Sequence, residues 1–282
     1  MSNEWTDVTL DDMRSRGDDV ADAVIAELFS KAETGSVNQL LRSLITNEFP
    51  EPAALPPIVR EHLTGTDRLP EWADATQIQA GENLFWRYGP KQILILNCYA
   101  LPWDYLGQKG VHVLTLTTRL LSNPTRRITE VSQFLVDVMQ PGGLTTPGGR
   151  GRRSIQKVRL MHAAVRKLAA ESPDWNPAWD LPINQEDLAG TLMSFSWIVL
   201  DGLEKLGAAL TSDEREAYLH CWKVIGHLLG IRNELLPKNF DSARDLAAAI
   251  VRRQFGPSSE GKALTKALVD MMAQVLPRGC IY

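Results

Sequence analysis

An all-α fold in one domain is what the sequence predicts, on three observations. Apolar residues recur with a 3.6-residue period along most of the chain. One run alone, residues 111–118, has the β-branched content of a strand, and no second run of comparable quality exists to pair with it. Gly and Pro clusters fall between the periodic segments rather than inside them.

Taken in order, Val20, Val24, Ile25 and Leu28 share one face of a helix that begins at Asp18 or Asp19, where a carboxylate suits the first turn. A short helix is expected over residues 37–46, then a loop through Pro50, Pro52, Pro56 and Pro57. Residues 77–88 read as helix closed by Gly89-Pro90. The apolar stretch 92–105 carries Pro102, which should kink or end it. Residues 111–118 are read as helix for want of a strand partner. Thr125 caps a helix running to Met139. Five glycines and two prolines then fall in residues 141–151, which excludes regular structure and reads as a flexible crossover.

Beyond it, residues 153–170 place apolar side chains at 155, 158, 161, 165 and 168, close to an ideal helical stripe. Asn184, with Asp187 three residues on, launches one long helix to Leu206. Ser212 starts another that ends near Leu229, with Gly230 placed as a C-terminal glycine. Helices over 243–254 and 264–276 complete the set. Residues 1–75 form an N-terminal helical extension, and 76–282 the main domain.

Composition narrows the function classes. With 30 Lys+Arg against 34 Asp+Glu, the net charge of −4 argues against nucleic acid as a partner. Cys98, Cys221 and Cys280 form no CxxC pair and no disulfide framework, which points to a reducing compartment. Residues 1–19 are acidic and polar where an export signal needs a basic start and an apolar run, so a cytoplasmic location is expected. No apolar stretch approaches the ~18–20 residues of a membrane span. There is no GxSxG, no phosphate-loop motif and no HExxH.

Among the five histidines, His62 is expected in solvent and His112 in the core. His220 and His227, seven apart, are too distant along one helix for joint metal ligation. Trp175 and Trp179 should staple their Pro-rich connection to the core. His162 differs in its neighbours: Arg159 and Arg166 lie at i−3 and i+4, on adjacent turns of one helical face. A neutral imidazole between two cations can ligate haem iron while the guanidiniums hold propionates. The same triplet also fits an ordinary polar edge facing water.

Five stretches carry a resemblance: Cys98-Tyr99-Ala100-Leu101-Pro102, Arg126-Arg127-Ile128-Thr129-Glu130, Lys157 through Arg166, Pro182 through Leu188, and Trp222 through Ile231. In this order they resemble the rubber oxygenase (latex-clearing protein) type of catalytic domain. That family also includes the fungal ER-bound oxygenase of mycophenolic acid biosynthesis. The resemblance implies a globin-reminiscent helical domain around a haem b pocket, with dioxygen as co-substrate and an apolar, isoprenoid-like substrate. It implies His162 as the iron ligand, with Arg159 and Arg166 beside it. It places Arg127 and Thr129 on the opposite side of the iron, Arg126 being the one-residue alternative register. Glu130 or Asp104 would supply an acid. A haem-binding sensor or carrier without turnover, and a non-catalytic helical interaction protein, are the competing readings.

Overall fold

The computed structural model describes residues 5–31, 55–117 and 124–275. Among them every regular element is a helix, and the one β-type pairing is an isolated bridge between Gly107 and Phe255. The helix expected over residues 37–46 lies outside the described residues.

The elements are α1 (Asp7–Arg14), α2 (Asp19–Lys31), α3 (Pro57–Thr66), α4 (Ala75–Ile95), α5 (Leu101–Asp104), α6 (Val111–Leu116) and α7 (Pro124–Met139). They continue as α8 (Arg150–Ala170), α9 (Gln185–Phe195), α10 (Trp197–Lys205), α11 (Ser212–Leu228), α12 (Phe240–Gln254) and α13 (Ser259–Val275). A π-helical turn, Leu96–Ala100, joins α4 to α5. Residues 111–118 were the ambiguous run, and α6 settles 111–116 as helix.

Two boundaries differ from the sequence reading. Residues 89–90 do not close a helix, since α4 runs through them to Ile95. Pro90 lies on the exposed side, where the carbonyl that loses its amide partner turns to water. The expected single helix over 184–206 is broken at Ser196, whose backbone leaves helical geometry at φ −108°, ψ −80°. The Ser196 hydroxyl donates to Leu192 O at 2.6 Å, the local competition that bends helices at serine. Asn184 does cap α9 as expected, accepting from Asp187 N at 3.0 Å.

α4 and α11 form the central pair. They meet at Gly81, where a Cβ would stand 2.8 Å from both Ala217 O and Cys221 Cβ. Around this pair the main apolar cluster gathers side chains from α1, α4, α5 and α7 through α12, with Ile155 of α8 fully buried in it. A second cluster fastens α2 and α3 to the opposite side of α8 through Ile25, Leu28, Val59, Leu160 and Ala163. A third joins Tyr105, Val111, Leu264 and Leu268, with Leu101 and Ile128 packed against it.

The glycine-rich segment is compact rather than a flexible crossover. Gly151 backs onto the α7 end so closely that a Cβ there would meet Asp137 O at 2.8 Å. Arg152 donates to Leu144 O, Thr145 O and Asp67 O, Gly148 N donates to Asp67 Oδ2 at 2.8 Å, and Gly142 N to Glu82 Oε2 at 3.2 Å. With its backbone groups so engaged, the segment forms a tight connection that sets α7 antiparallel to α8.

Candidate functional site: the histidine face of the helix Arg150–Ala170

Helix α8 is flanked by α2 on one side and α7 on the other. His162 lies two turns beyond Ile155, near the face that Ile155 turns to the main core. The imidazole is half-buried, with Nδ1 closed off from solvent. Ala163 and Ala164 beside it are buried against α2 and α3.

The two flanking arginines are fully engaged. Arg159 donates from Nε and Nη2 to Asp18 at 2.5 and 2.8 Å, and from Nη1 to Leu228 O at 3.3 Å. Arg166 pairs through Nη1 with Asp22 and donates from Nε and Nη2 to Ile183 O. Asp18 and Asp22, four apart at the start of α2, thus clasp two turns of α8. These are charge-assisted bonds, and the Asp18 contact is two-pronged, the geometry a guanidinium favours for carboxylates. Burial pushes the Asp22 carboxyl up, against the pull of Arg166. Nothing in the sequence flagged these aspartates beyond their place in a first helical turn.

His62 was expected in water and is instead 6% exposed. It sits on α3, whose apolar face packs toward α2 and α8, and among the described residues its two ring nitrogens have no hydrogen-bond partner. Burial, assisted by nearby Arg159, pushes its pKa down to about 4, so the ring is neutral. Its Pro-flanked context hid a helix: Pro57 at the first position starts α3 rather than preventing it. The core reading of His112 meets a half-buried ring stacked on Trp179 with centroids 3.6 Å apart. That stack ties the Trp connection to α6, whereas the bond from Trp175 Nε1 to Asp180 O stays within the connection and does not staple it to the core. His220 and His227 both meet the Trp72 ring edge-on instead of ligating together.

On the other flank, α7 and α8 share a polar seam. Ser154 Oγ donates to Asp137 Oδ2 at 2.6 Å and Gln133 Nε2 to Asp137 Oδ1 at 2.8 Å. Lys157 lies where Glu130 and Asp137 both act on its charge, while burial lowers its pKa. The pairings 137 with 154 and 130 with 157 define an antiparallel register. Continued one turn, it brings residues 126–128 level with His162. Thr129 is exposed and Glu130 half-buried; Arg127 belongs to α7, and its side chain is outside the described residues. Asp104, the alternative acid, ends α5 beside Ser194 of α9.

The described residues define an all-helical domain built around the α4–α11 pair, with His162 on α8. Residues 103–280 match the family described as ER-bound oxygenase mpaB/B′/Rubber oxygenase, catalytic domain, and the chain belongs to that family. It is 28% identical over 269 residues to the rubber oxygenase of Streptomyces sp. (strain K30), covering 92% of this chain and 64% of that relative. The chain therefore spans just under two thirds of the relative's length. Its structure is similar to that of latex clearing protein LCP in the closed state, with a TM-score of 0.76 and 26% identity over 93% of this chain and 71% of the other.

Proposed function

We propose that the chain is a haem b-dependent oxygenase that uses dioxygen on a hydrophobic small molecule of isoprenoid type. The observation that carries this reading is the α7–α8 hairpin. Its register sets His162 level with the segment that holds Arg127 and Thr129, within a chain belonging to an oxygenase family.

The donor set fits haem in one respect and qualifies it in another. His162 offers a half-buried imidazole on the core side of a well-packed helix, the ligand type that holds haem iron. Arg159 and Arg166 already hold carboxylates. In this proposal they fix α8 against α2, and the propionates of a bound haem compete with Asp18 and Asp22 for them. When bound, the haem supplies the redox chemistry toward dioxygen. The chain's own part is to hold it, exclude water through the surrounding apolar side chains, and place Arg127 and Thr129 toward developing negative charge, with Glu130 as an acid.

The test is haem content by pyridine haemochrome on protein reconstituted with hemin, for wild type and His162→Ala. Wild type should carry about one haem per chain, and the variant should purify nearly colourless, since losing the iron ligand removes the main anchor. Dioxygen uptake with an isoprenoid then separates an oxygenase from a carrier. A His162→Ala protein with a full Soret band would sink the assignment of the ligand.

A further inference from the structure

The stretch Pro182 through Leu188, one of the five that carry the family resemblance, has no part in the site described above. It opens on a strained turn. Among the described residues, Asp180 and Ile183 are the two that are not glycine and yet have positive φ, at 66° and 48°. For a β-branched residue such as Ile183 this is a genuine outlier, held only where the surroundings impose it. Pro182 before it is buried and fixed in φ, and Asn184 after it already caps α9. The change of direction therefore falls on Ile183.

The carbonyl that results is turned to α8. Ile183 O accepts from both Nε and Nη2 of Arg166, at 3.2 and 2.9 Å. Two residues on, Gln185 Nε2 donates to Gly17 O at 2.7 Å. Gly17 lies against the same side chain: a Cβ there would stand 3.0 Å from Arg166 Cδ, and closer still to Asp22 Oδ2. Ile183 directly, and Gln185 through Gly17, thus fix Arg166 and leave Nη1 turned to Asp22. The two arginines beside His162 are therefore not equivalent. Arg159 commits Nε and Nη2 to Asp18, whose side chain is 5% exposed, and Nη1 to Leu228 O. Arg166 commits that edge to a backbone carbonyl, and its carboxylate partner Asp22 is 34% exposed. A carboxylate arriving from outside can replace Asp22 and release it to water. At Arg159 the same exchange would strand Asp18 as a buried, unpaired charge.

We propose that Ile183 is a positioning residue: its carbonyl, set by the strained turn, holds the Nε–Nη2 edge of Arg166 so that Nη1 is presented to an exchangeable carboxylate, whose place Asp22 takes in the ligand-free protein. This rests on the haem-dependent reading above and deepens it. Of the two contests that reading allows, only the one with Asp22 is open. Arg166 receives a propionate, and Arg159 stays with Asp18 as the clamp between α8 and α2.

Urea unfolding of Ile183→Gly and Ile183→Ala at pH 7 tests the turn. Both lose the packing of the side chain, so the pair compares backbones. Glycine is ordinarily the worse of the two, but at φ 48° it is the better. Ile183→Gly should have the higher midpoint, and the reverse order overturns the strained turn. In 15N-arginine spectra of the ligand-free protein, the Arg166 Nε–H should exchange slowly in wild type and equally slowly in Asp22→Asn, because its partner is Ile183 O. Loss of that protection in Asp22→Asn overturns the positioning. The exchange at Nη1 is read by Soret titration with hemin and with hemin dimethyl ester, which has no carboxylate. Wild type should prefer hemin by about tenfold or more. Asp22→Asn should widen the preference and Asp18→Asn should not. Arg166→Lys keeps the charge but cannot share two N–H groups with one carbonyl, and should bring the two affinities together. Equal affinities in wild type, or a widening by Asp18→Asn instead, refute the exchange. Should Asp18→Asn not fold, the order of wild type, Asp22→Asn and Arg166→Lys decides it. A wild type that binds neither porphyrin sinks the haem reading and the exchange with it, while the unfolding and the spectra still decide the role of Ile183.

Discussion

The corner where α1 meets α9 and α12 and the corner where α5 meets α9 hold the same functional group under different conditions, fully buried in the first and half-buried in the second. In the first, Glu186 is inaccessible to solvent and accepts from Arg14 Nη1 at 3.2 Å, Arg253 Nε at 2.9 Å and Gln254 Nε2 at 2.9 Å. Arg14 also serves Asp187 and Asp180, and Arg253 reaches Asp11. In the second, Asp104 has a serine and, among the described residues, no cation. Burial is the largest influence on all three of Glu186, Asp187 and Asp104, and raises each. Only at the first corner do arginines oppose it. The difference teaches that a fully buried carboxyl is met here by cations, whereas a half-buried one makes do with a neighbouring hydroxyl.

The largest effect expected from breaking this contrast is at Arg14. Arg14→Met withdraws the cation from Glu186 and Asp187 at once, leaving Asp187 to its α9 cap partners and Glu186 to Arg253 and Gln254. Removing one member of a buried charged network costs about 3–5 kcal/mol. Urea unfolding at pH 7 should show a loss in that range, while Asp104→Asn shows none. A loss under about 1 kcal/mol for Arg14→Met would mean that the two corners do not differ as described.

His62 sharpens the comparison from the cationic side, being a buried base without a partner. Its folded pKa of about 4 lies below the ordinary 6.5, so the unfolded chain binds more protons in between. Stability contributed by the neutral ring is therefore present above pH 6.5 and lost as pH falls through that window, by at most about 3 kcal/mol. His62→Leu removes a polar ring that has no hydrogen bond, and should hold or raise stability at pH 7. Its midpoint should also fall less steeply than wild type between pH 6.5 and 4. Identical slopes for the two proteins would show that His62 does not titrate as a buried group.

The sequence carried the helical class and the α9 cap because each is encoded locally, in periodicity or in a residue three positions away. It did not carry the engagement of Arg159 by Asp18, 141 residues earlier, nor that of Arg14 by Glu186. Aspartate in a first helical turn looks the same whether it faces water or an arginine from another helix. His62 was misplaced for a related reason: its burial depends on α2 and α8 closing over α3, which no window around it records. Asp104 entered only as one of two alternatives, because its partner Ser194 lies 90 residues further on. The α4 path through Gly89-Pro90 was missed because tolerance of Pro depends on which side of the helix faces solvent.

The smallest expected effect separates local encoding from its one-residue ambiguity. The sequence placed the start of α11 at Ser212, yet Thr211 is the capping residue. Its hydroxyl accepts from Glu214 N at 3.2 Å, while Glu214 Oε2 accepts from Thr211 N at 2.9 Å, a reciprocal capping box. Ser212 is the first helical residue and exposed, with no cap to lose. Thr211→Ala should therefore cost about 1 kcal/mol, because two amides at the helix start lose their arrangement. Ser212→Ala should cost a few tenths at most, by helix propensity alone. Both changes lie far from any buried charge, so neither should alter the pH dependence set by His62. Urea unfolding of the two variants decides the matter, and an equal loss in both would mean that the cap is shared between the two hydroxyls.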